Sequence, residues 1–228
     1  MERKTIITGD GSPTIAIPEL KVTYHSIHGA IQESKHVFIE AGLRYVRPQV
    51  VANCVSVFEM GFGTGLNTLL TLIESEHIHQ KISYETIELF PLTKDQIASL
   101  DYCQQLGRND LQETFEQLHN CEWEKEVTIT PNFTIKKSKT TLLNLETVGT
   151  FELIYFDAFD SNAQPELWRA EIFQKMFSIL KPGGILVTYS SKGDVRRAME
   201  AAGFTIEKIP GPPGKREMVR AAHPKRKE

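Results

Sequence analysis

Residues 54–65 read CVSVFEMGFGTG: an apolar stretch, an acid and three closely spaced glycines. The stretch predicts a buried strand over residues 54–59, because a short apolar run bounded by a turn signal is typical of one. The glycines predict a tight loop whose backbone can approach a ligand closely. Leucines at helical spacing follow and predict a helix directly after the loop. A strand, a glycine-rich loop and a helix in this order indicate an α/β fold with a ligand at the loop.

Strands and helices alternate along the chain after this loop. Buried-type strands are predicted at 82–88, 151–156 and 185–189, and helices at 92–102, 110–118 and 172–180. This alternation predicts an α/β fold with a doubly wound, mostly parallel sheet. The last two strands, 204–209 and 217–221, are joined by a Pro/Gly loop that is too short for a parallel crossover. The last strand must therefore run antiparallel.

The chain divides by pattern into three parts. Residues 1–48 predict a small β-rich N-terminal extension, residues 49–222 hold the α/β domain, and residues 223–228 form a basic tail. With 40% hydrophobic and 24% charged residues among 228, the composition is that of a globular protein. No segment approaches the roughly 20 apolar residues of a membrane helix, and the start lacks the apolar run of a secretory signal. We expect a cytoplasmic monomer with no membrane partner.

Cysteine and histidine give no sign of disulfide or metal chemistry. The three cysteines, Cys54, Cys103 and Cys121, are widely separated and lack a C-x-x-C pair, which disfavours a disulfide framework or a thiolate zinc site. The seven histidines show no metal-ligand spacing and are interpreted as structural or surface residues. No metal is therefore expected.

The net charge of -3 hides an asymmetry. Residues 192–228 contain ten Lys/Arg against five Asp/Glu, whereas the rest of the chain contains 16 against 24. A basic segment on an acidic body can follow the phosphates of a nucleic acid, but a solvated surface with a basic tail explains the same counts. Charge alone leaves the two interpretations open.

The glycine loop departs from two common phosphate-binding patterns. A dinucleotide site reads G-x-G-x-x-G, whereas here Gly65 comes one residue early, and the Gly-Lys-Ser/Thr of a Walker loop is absent. Glu59 at the strand end would repel a pyrophosphate but suits a ligand with an ammonium or sulfonium group. Glu88, 23 residues after Gly65, is near the offset at which an acid binds ribose hydroxyls. S-adenosylmethionine carries all of these groups and is the expected co-substrate.

Four motifs occur in the order found in class I S-adenosylmethionine-dependent methyltransferases. They are Glu59–Gly65, Glu88, Phe156-Asp157 and Leu180-Lys181-Pro182-Gly183-Gly184. The sequence therefore resembles that superfamily, and the antiparallel last strand agrees with its sheet.

Further segments resemble the methyltransferase domain of the MnmC family over about residues 20–222. They are ESKHVF at 33–38, EMGFGTGLN at 59–67, ELFPL at 88–92, FDAF at 156–159, PELW at 165–168, TYSS at 188–191 and KREM at 215–218. The resemblance implies methyl transfer to the primary amine of 5-aminomethyl-(2-thio)uridine at the tRNA wobble position, so that the anticodon loop is the partner. Many members carry a second, FAD-dependent domain, and this chain is expected to act without that domain and without FAD.

The strand ends and the resemblance together give the candidate site residues. Asp157, after the central strand, is expected to orient the amine and accept its proton. The residues expected to bind the cofactor belong to the glycine loop, the following helix and the second strand end: Glu59, Gly61, Gly63, Thr64, Gly65, Asn67 and Glu88. Phe159 is expected to stack on the uridine base, and Lys215 and Arg216 are expected to bind tRNA phosphates.

Some of these residues keep a structural alternative. A helix N-cap is the alternative role of Asp157, although the next helix is predicted only near Pro165. Trp168 is explained equally well as a core residue and as a residue that stacks on the base. Relatives often have Gly-Asp-Ala on the adenine side, where this chain has Lys137-Ser138-Lys139, and no adenine contact is assigned there.

Three other functions agree with parts of the pattern. A small-molecule methyl- or aminopropyl-transferase would use the same pocket without RNA. A nicotinamide-dependent oxidoreductase is disfavoured by the glycine spacing and by the antiparallel last strand. A non-catalytic RNA-binding protein on a methyltransferase scaffold is disfavoured by the complete set of acids and glycines.

Overall fold

The computed structural model describes residues 2–145 and 150–225, which contain two sheets. The smaller sheet is antiparallel and consists, in order, of β1 (Lys4–Ile7), β2 (Pro13–Ile17) and β3 (Val22–Thr23). It confirms the predicted β-rich start of the chain.

The larger sheet has eight strands. They are β4 (Cys54–Met60), β5 (Lys81–Ile87), β6 (Glu126–Thr130), β7 (Phe133–Ser138), β8 (Phe151–Phe156), β9 (Leu180–Thr188), β10 (Thr205–Pro210) and β11 (Glu217–Ala222). Their order is β10-β11-β9-β8-β4-β5-β7-β6. The pairs among β9, β8, β4, β5 and β7 are parallel, whereas β6 and β11 run antiparallel to their neighbours. The doubly wound, mostly parallel sheet and its antiparallel last strand confirm the predicted fold.

Helices cover both faces of this sheet. The α-helices are α1 (Ala30–Ser34), α2 (Arg44–Val46), α3 (Leu66–Ser75), α4 (Lys94–Ala98), α5 (Tyr102–Gln105), α6 (Gln112–Asn120), α7 (Ala170–Ile179) and α8 (Gly193–Ala201). A π-helical stretch, Lys35–Leu43, joins α1 to α2, and 3₁₀ turns lie at Pro18–Leu20, Arg47–Gln49, Asn109–Leu111 and Pro165–Trp168. None of the helices in the described ranges combines the length and the apolar character that crossing a bilayer requires.

Two apolar layers hold the helices on the sheet. One layer joins α3, α6 and residues 30–46 to one face, and the other joins α7 and α8 to the opposite face. The ring of Phe38 lies 5.1 Å from that of Tyr155 in β8. A Cβ atom at Gly42 would lie 3.1 Å from the side chain of Val187 in β9. Residues 30–46, within the predicted extension, therefore pack as part of the core.

Two segments differ from the predicted pattern. The single helix predicted over 92–102 is two helices, α4 and α5, because Thr93 opens α4 with a capping box and Ser99 ends it. The strand predicted from Ile185 begins at Leu180, and its register against β8 shifts near its start. The Pro-Gly-Gly motif therefore lies within β9, at an irregularity of the ladder.

The strand order places three loops side by side. Because β4 lies between β8 and β5 and all three are parallel, the loops that follow them share one edge of the sheet. The strand order reverses at β4, which is where ligands bind in open α/β sheets. The glycine loop follows β4, Glu88 follows β5 and Asp157 follows β8. The fold thus brings the three strand-end motifs together.

Candidate functional site

A cavity of about 650 Å³ lies at this edge, a size typical of small-molecule sites. Its walls come from the loops after β4, β5 and β8, from residues 139–143 and from the N-terminal segment. The sequence-predicted residues that line it are Gly61, Gly63, Thr64, Asn67, Glu88, Asp157 and Phe159. The predicted residues that lie outside its walls are Glu59, Gly65, Lys215 and Arg216.

The glycine loop has a backbone that favours glycine. Gly63 has a φ of 52°, in the left-handed region that side chains rarely adopt. A Cβ atom there would also lie 3.0 Å from the ring of Tyr24, which lines the cavity from the N-terminal segment. Gly65, with a φ of 73°, is the N-cap of α3. Glycine at position 63 therefore makes room for an aromatic wall of the cavity.

Glu88 connects the end of β5 to the glycine loop. One carboxylate oxygen accepts a hydrogen bond of 3.0 Å from the backbone N–H of Gly63, and the other accepts one of 2.8 Å from that of Phe90. The side chain lines the cavity, held by these backbone groups. An acceptor fixed in this position is suited to bind ribose hydroxyls.

Glu59 lies beneath the cavity rather than in its wall. Its side chain is fully buried, and its Oε2 accepts a hydrogen bond of 3.2 Å from the hydroxyl of Thr68. Burial, followed by the negative charge of Asp157, raises the pKa of Glu59 to about 8. The direct ligand contact predicted for Glu59 is therefore not a feature of this geometry, in which the acid supports the loop from below.

Asp157 lines the cavity directly after β8. Its Oδ2 accepts a hydrogen bond of 2.9 Å from the amide Nδ2 of Asn67, in the first turn of α3. Burial, followed by the charge of Glu33, raises the pKa of Asp157 to about 7. The next helical turn begins only at Pro165, so Asp157 is not a helix cap. A carboxyl group that exchanges its proton near neutral pH is suited to acid–base chemistry.

Phe159 and Tyr24 form an aromatic pair in the cavity wall. Their rings meet edge to face, with centroids 5.2 Å apart. Trp168 is buried instead: its ring packs on Phe156 at 5.2 Å, and its Nε1 donates a hydrogen bond of 2.8 Å to the backbone oxygen of Phe159. Trp168 is thus a core residue that holds the loop carrying Phe159.

Lys215 and Arg216 lie in a second cleft of about 290 Å³, on the loop between β10 and β11. The ammonium of Lys215 is 2.8 Å from the carboxylate of Glu33 and 3.7 Å from the ring centroid of Tyr189. Arg216 is exposed. Of the two cations predicted to bind phosphates, Arg216 is therefore presented to solvent, while Lys215 is engaged within the protein.

The segment on the predicted adenine side has two parts. Lys137 is fully buried, and its ammonium donates hydrogen bonds of 2.7 and 2.6 Å to the backbone oxygens of Leu118 and His119. These oxygens lie at the end of α6, so Lys137 caps that helix. Lys139 lines the cavity. The cavity wall therefore begins two residues after the capping lysine.

His25 lines the cavity although no sequence pattern predicts it there. Its Nε2 lies 3.5 Å from the hydroxyl of Thr64, and its Nδ1 lies 3.0 Å from that of Thr14. Burial lowers the pKa of His25 to about 4, so the imidazole is neutral at pH 7. No local pattern marks His25 or Tyr24, because the N-terminal segment reaches the glycine loop only through the tertiary fold.

The chemistry of the cavity fits a cationic ligand that carries a ribose. Glu88 and Asp157 carry carboxyl groups, and the Oδ1 of Asn67 is buried without a hydrogen-bond partner among the described residues. Such oxygens accept N–H groups and favour positive charge. Within residues 2–145 and 150–225, no group of three or more His, Cys, Asp or Glu side chains is arranged to hold a metal ion.

Known proteins resemble this chain in sequence. Residues 101–224 match the model of the S-adenosyl-L-methionine-dependent methyltransferase family. The tRNA 5-methylaminomethyl-2-thiouridine biosynthesis bifunctional protein MnmC of Cupriavidus metallidurans is 30% identical over 94% of this chain, and that of Aromatoleum aromaticum is 29% identical over 95%. The chain spans about a third of the length of these relatives, 33% and 34% respectively.

A solved structure has the same fold. The crystal structure of MnmC2 from Aquifex aeolicus matches with a TM-score of 0.76 and 19% identity, covering 100% of this chain and 73% of that chain. Since the family model matches more than half of the residues, this chain belongs to the S-adenosyl-L-methionine-dependent methyltransferase family.

Proposed function

We propose that this chain transfers a methyl group from S-adenosylmethionine to the primary amine of 5-aminomethyl-(2-thio)uridine at the wobble position of tRNA. The observation that carries the proposal is the position of Asp157, whose carboxyl group faces a cavity bounded by the glycine loop and Glu88. The similarity to MnmC proteins over nearly the whole chain supports the choice of substrate.

The residues of the cavity suit the co-substrate. The loop residues Gly61, Gly63 and Thr64 would hold its backbone-facing side, Glu88 would bind its ribose, and the free amide oxygen of Asn67 would accept from its charged end. When bound, S-adenosylmethionine supplies a sulfonium methyl carbon, to which the amine lone pair bonds while the electrons of the broken S–C bond leave with sulfur.

Asp157 would act on the nitrogen. A primary alkyl amine resembles lysine, with an unperturbed pKa of about 10, so it arrives protonated and without a free lone pair. The pKa of Asp157, raised to about 7, leaves much of this carboxyl group ionised at neutral pH and able to take a proton. The hydrogen bond from Asn67 fixes one carboxylate oxygen, which leaves the other for the amine.

Two further groups would hold the RNA. Phe159 offers a ring in the cavity wall to a base turned out of the anticodon loop. Arg216 lies in the neighbouring cleft, exposed to solvent, where a backbone phosphate can reach its guanidinium. The cavity would thus bind the reacting nucleotide, and the cleft would bind the RNA backbone next to that nucleotide.

The test is a transfer assay with methyl-labelled S-adenosylmethionine and tRNA that carries the aminomethyl group, followed by digestion and mass spectrometry of the nucleosides. We expect label on that uridine and none on the same tRNA without the aminomethyl group. Label on free amines in the absence of RNA would instead support a small-molecule transferase, and no label on the modified uridine would remove the proposal.

A matched pair of variants assigns the role of Asp157. Asp157→Asn should lower turnover by about 10²- to 10⁴-fold, the usual contribution of a general base, while S-adenosylmethionine still binds. Asp95→Asn, on the exposed first turn of α4, should leave turnover unchanged. Full activity of Asp157→Asn would show that another group takes the proton.

A further inference from the structure

An ion pair joins the beginning and the end of the chain beside the proposed site. Glu33 lies in α1 and Lys215 in the loop before β11, 182 positions apart. The Lys215 ammonium lies 2.8 Å from Oε1 of Glu33, and the backbone N–H of Ser26 donates a hydrogen bond of 2.7 Å to Oε2. Glu33 is 7% exposed, so its carboxylate depends on these two partners.

The pair is connected to the strand end that carries Asp157. The ammonium of Lys215 lies over the ring of Tyr189, 3.7 Å from its centroid. The hydroxyl of Tyr189 in turn donates a hydrogen bond of 2.8 Å to the backbone oxygen of Ala158, the residue after Asp157. A continuous set of contacts therefore runs from Glu33 through Lys215 and Tyr189 to the backbone beside the reactive carboxyl group.

We propose that Glu33 and Lys215 are positioning residues of the methyl transfer, which act on the substrate amine through Asp157. The inference rests on the proposed function and extends it to two residues that do not line the cavity. It also gives Lys215 a role inside the protein in place of a contact with tRNA phosphate.

The charges of the pair act on Asp157 in opposite directions. Burial is the main reason why the pKa of Asp157 is raised; the negative charge of Glu33 raises it further, and the positive charge of Lys215 lowers it. Among the described residues, Glu59 at the end of β4 and Tyr189 after β9 also interact with the charge of this carboxyl group, and Asn67 of α3 faces it as a neutral donor. Neither Glu59 nor Tyr189 is itself substituted in the variants of the ion pair.

Two single substitutions should therefore move the activity profile in opposite directions. In Lys215→Met, Glu33 loses its cation, and the acidic limb of kcat/KM should shift to higher pH by about one unit. In Glu33→Gln, Lys215 keeps its charge, and the limb should shift to lower pH. The double variant should return toward the wild-type limb, and Lys215→Arg, which keeps the charge, should stay near it.

A second buried ion pair, at the beginning of β8, provides a matched control. Lys181 contacts Glu152, which is 8% exposed and also accepts a hydrogen bond of 2.7 Å from a backbone N–H, that of Ser56. Glu152 and Asp157 are separated by the length of β8, about 16 Å at the usual rise of a strand. Lys181→Met and Glu152→Gln should lower stability without moving the acidic limb.

The outcomes separate this inference from the proposed function. If wild type methylates the tRNA but both variants of the pair shift the limb in one direction, or not at all, the positioning role is wrong. If wild type transfers no methyl group, the proposed function fails, and carbon-13 NMR titration of the Asp157 carboxyl group decides the inference by the same opposite shifts. Should Lys215→Met fail to fold, the direction of the shift in Glu33→Gln alone decides it.

Discussion

The side-chain amide of Asn67 donates a hydrogen bond of 2.9 Å to the carboxylate of Asp157, across 90 positions of sequence. Asn67 lies in the first turn of the helix that the glycine loop opens, and Asp157 follows the adjacent strand β8. The loop that would hold the co-substrate is therefore tied directly to the group that would take the proton. The sequence predicts a cofactor contact for Asn67, and the fold gives it this second partner.

Asn67→Ala should separate chemistry from binding. Losing a hydrogen bond to a charged group costs about 1.5–3 kcal/mol, so turnover should fall by roughly 10- to 100-fold. Affinity for S-adenosylmethionine, measured by calorimetry, should fall by less than turnover. A larger loss of affinity than of turnover would make co-substrate binding, rather than the hydrogen bond to Asp157, the main role of Asn67.

Gly63→Ala should weaken co-substrate binding. The variant places a Cβ atom at a φ of 52° and 3.0 Å from the ring of Tyr24, so the loop and the aromatic wall must separate. We expect the dissociation constant for S-adenosylmethionine to rise by about tenfold or more, equivalent to about 1.4 kcal/mol.

Gly107→Ala is the matched control for this substitution. Gly107 also has a positive φ, 68°, but a Cβ atom there meets nothing within 4 Å. Gly107→Ala should lower the thermal unfolding temperature through backbone strain and leave the affinity for S-adenosylmethionine unchanged. Equal effects of the two variants on binding would mean that strain, rather than the fit of Tyr24, controls the loop.

Glu59→Gln should change how stability depends on pH. The pKa of Glu59 is about 8 in the folded protein against 4.5 for an unburied glutamate, so between these values the folded state binds more protons than the unfolded state. The contribution of Glu59 to the free energy of unfolding is thus fully present below pH 4.5 and is lost as the pH rises through about 8. Glutamine removes this loss.

Urea unfolding across this pH range provides the measurement. The stability of Glu59→Gln relative to wild type should increase from about pH 5 to about pH 9 by about 1 kcal/mol or more. Glu113→Gln, at an exposed position of α6, should show no such trend. A constant difference between Glu59→Gln and wild type would place the Glu59 pKa near its ordinary value.

Arg216→Ala should weaken tRNA binding uniformly and reduce its dependence on salt. One phosphate contact contributes about one unit to the slope of log K against log salt, so the slope should decrease by about that amount. Lys81→Ala, an exposed cation at the beginning of β5 and thus at the opposite edge of the sheet, should leave the slope unchanged. An identical slope in both variants would remove Arg216 from the RNA interface.

The strand Phe151–Phe156 has the bounds that its sequence predicts, because every residue is apolar or packed and both faces of the sheet are covered. The antiparallel last strand also followed from sequence, since the length of the connecting loop decides it. The prediction of one continuous helix over 92–102 was wrong, because two helices occupy this segment. Its apolar spacing runs on through Ser99, while the capping hydrogen bonds of α4 end the helix there.

The position of a site residue was predictable where the order of strands along the chain determines it. It was not predictable where tertiary packing determines it. The glycine loop, Glu88 and Asp157 meet because parallel strands end at one edge. The burial of Glu59 depends on how α3 covers the strand end, and the partner of Lys215 lies in a distant helix. Neither leaves a local pattern in the sequence.

The place of β11 between β9 and β10 has a consequence for synthesis on the ribosome. Translation delivers β9 and β10 first, and the two can join one sheet only when β11 has emerged and inserted between them. Until then β9 has an unpaired edge that can pair with other nascent chains. The carboxylate of Glu33 also lacks its ion-pair partner, Lys215. The proposed site is therefore complete only after β11 has been synthesised.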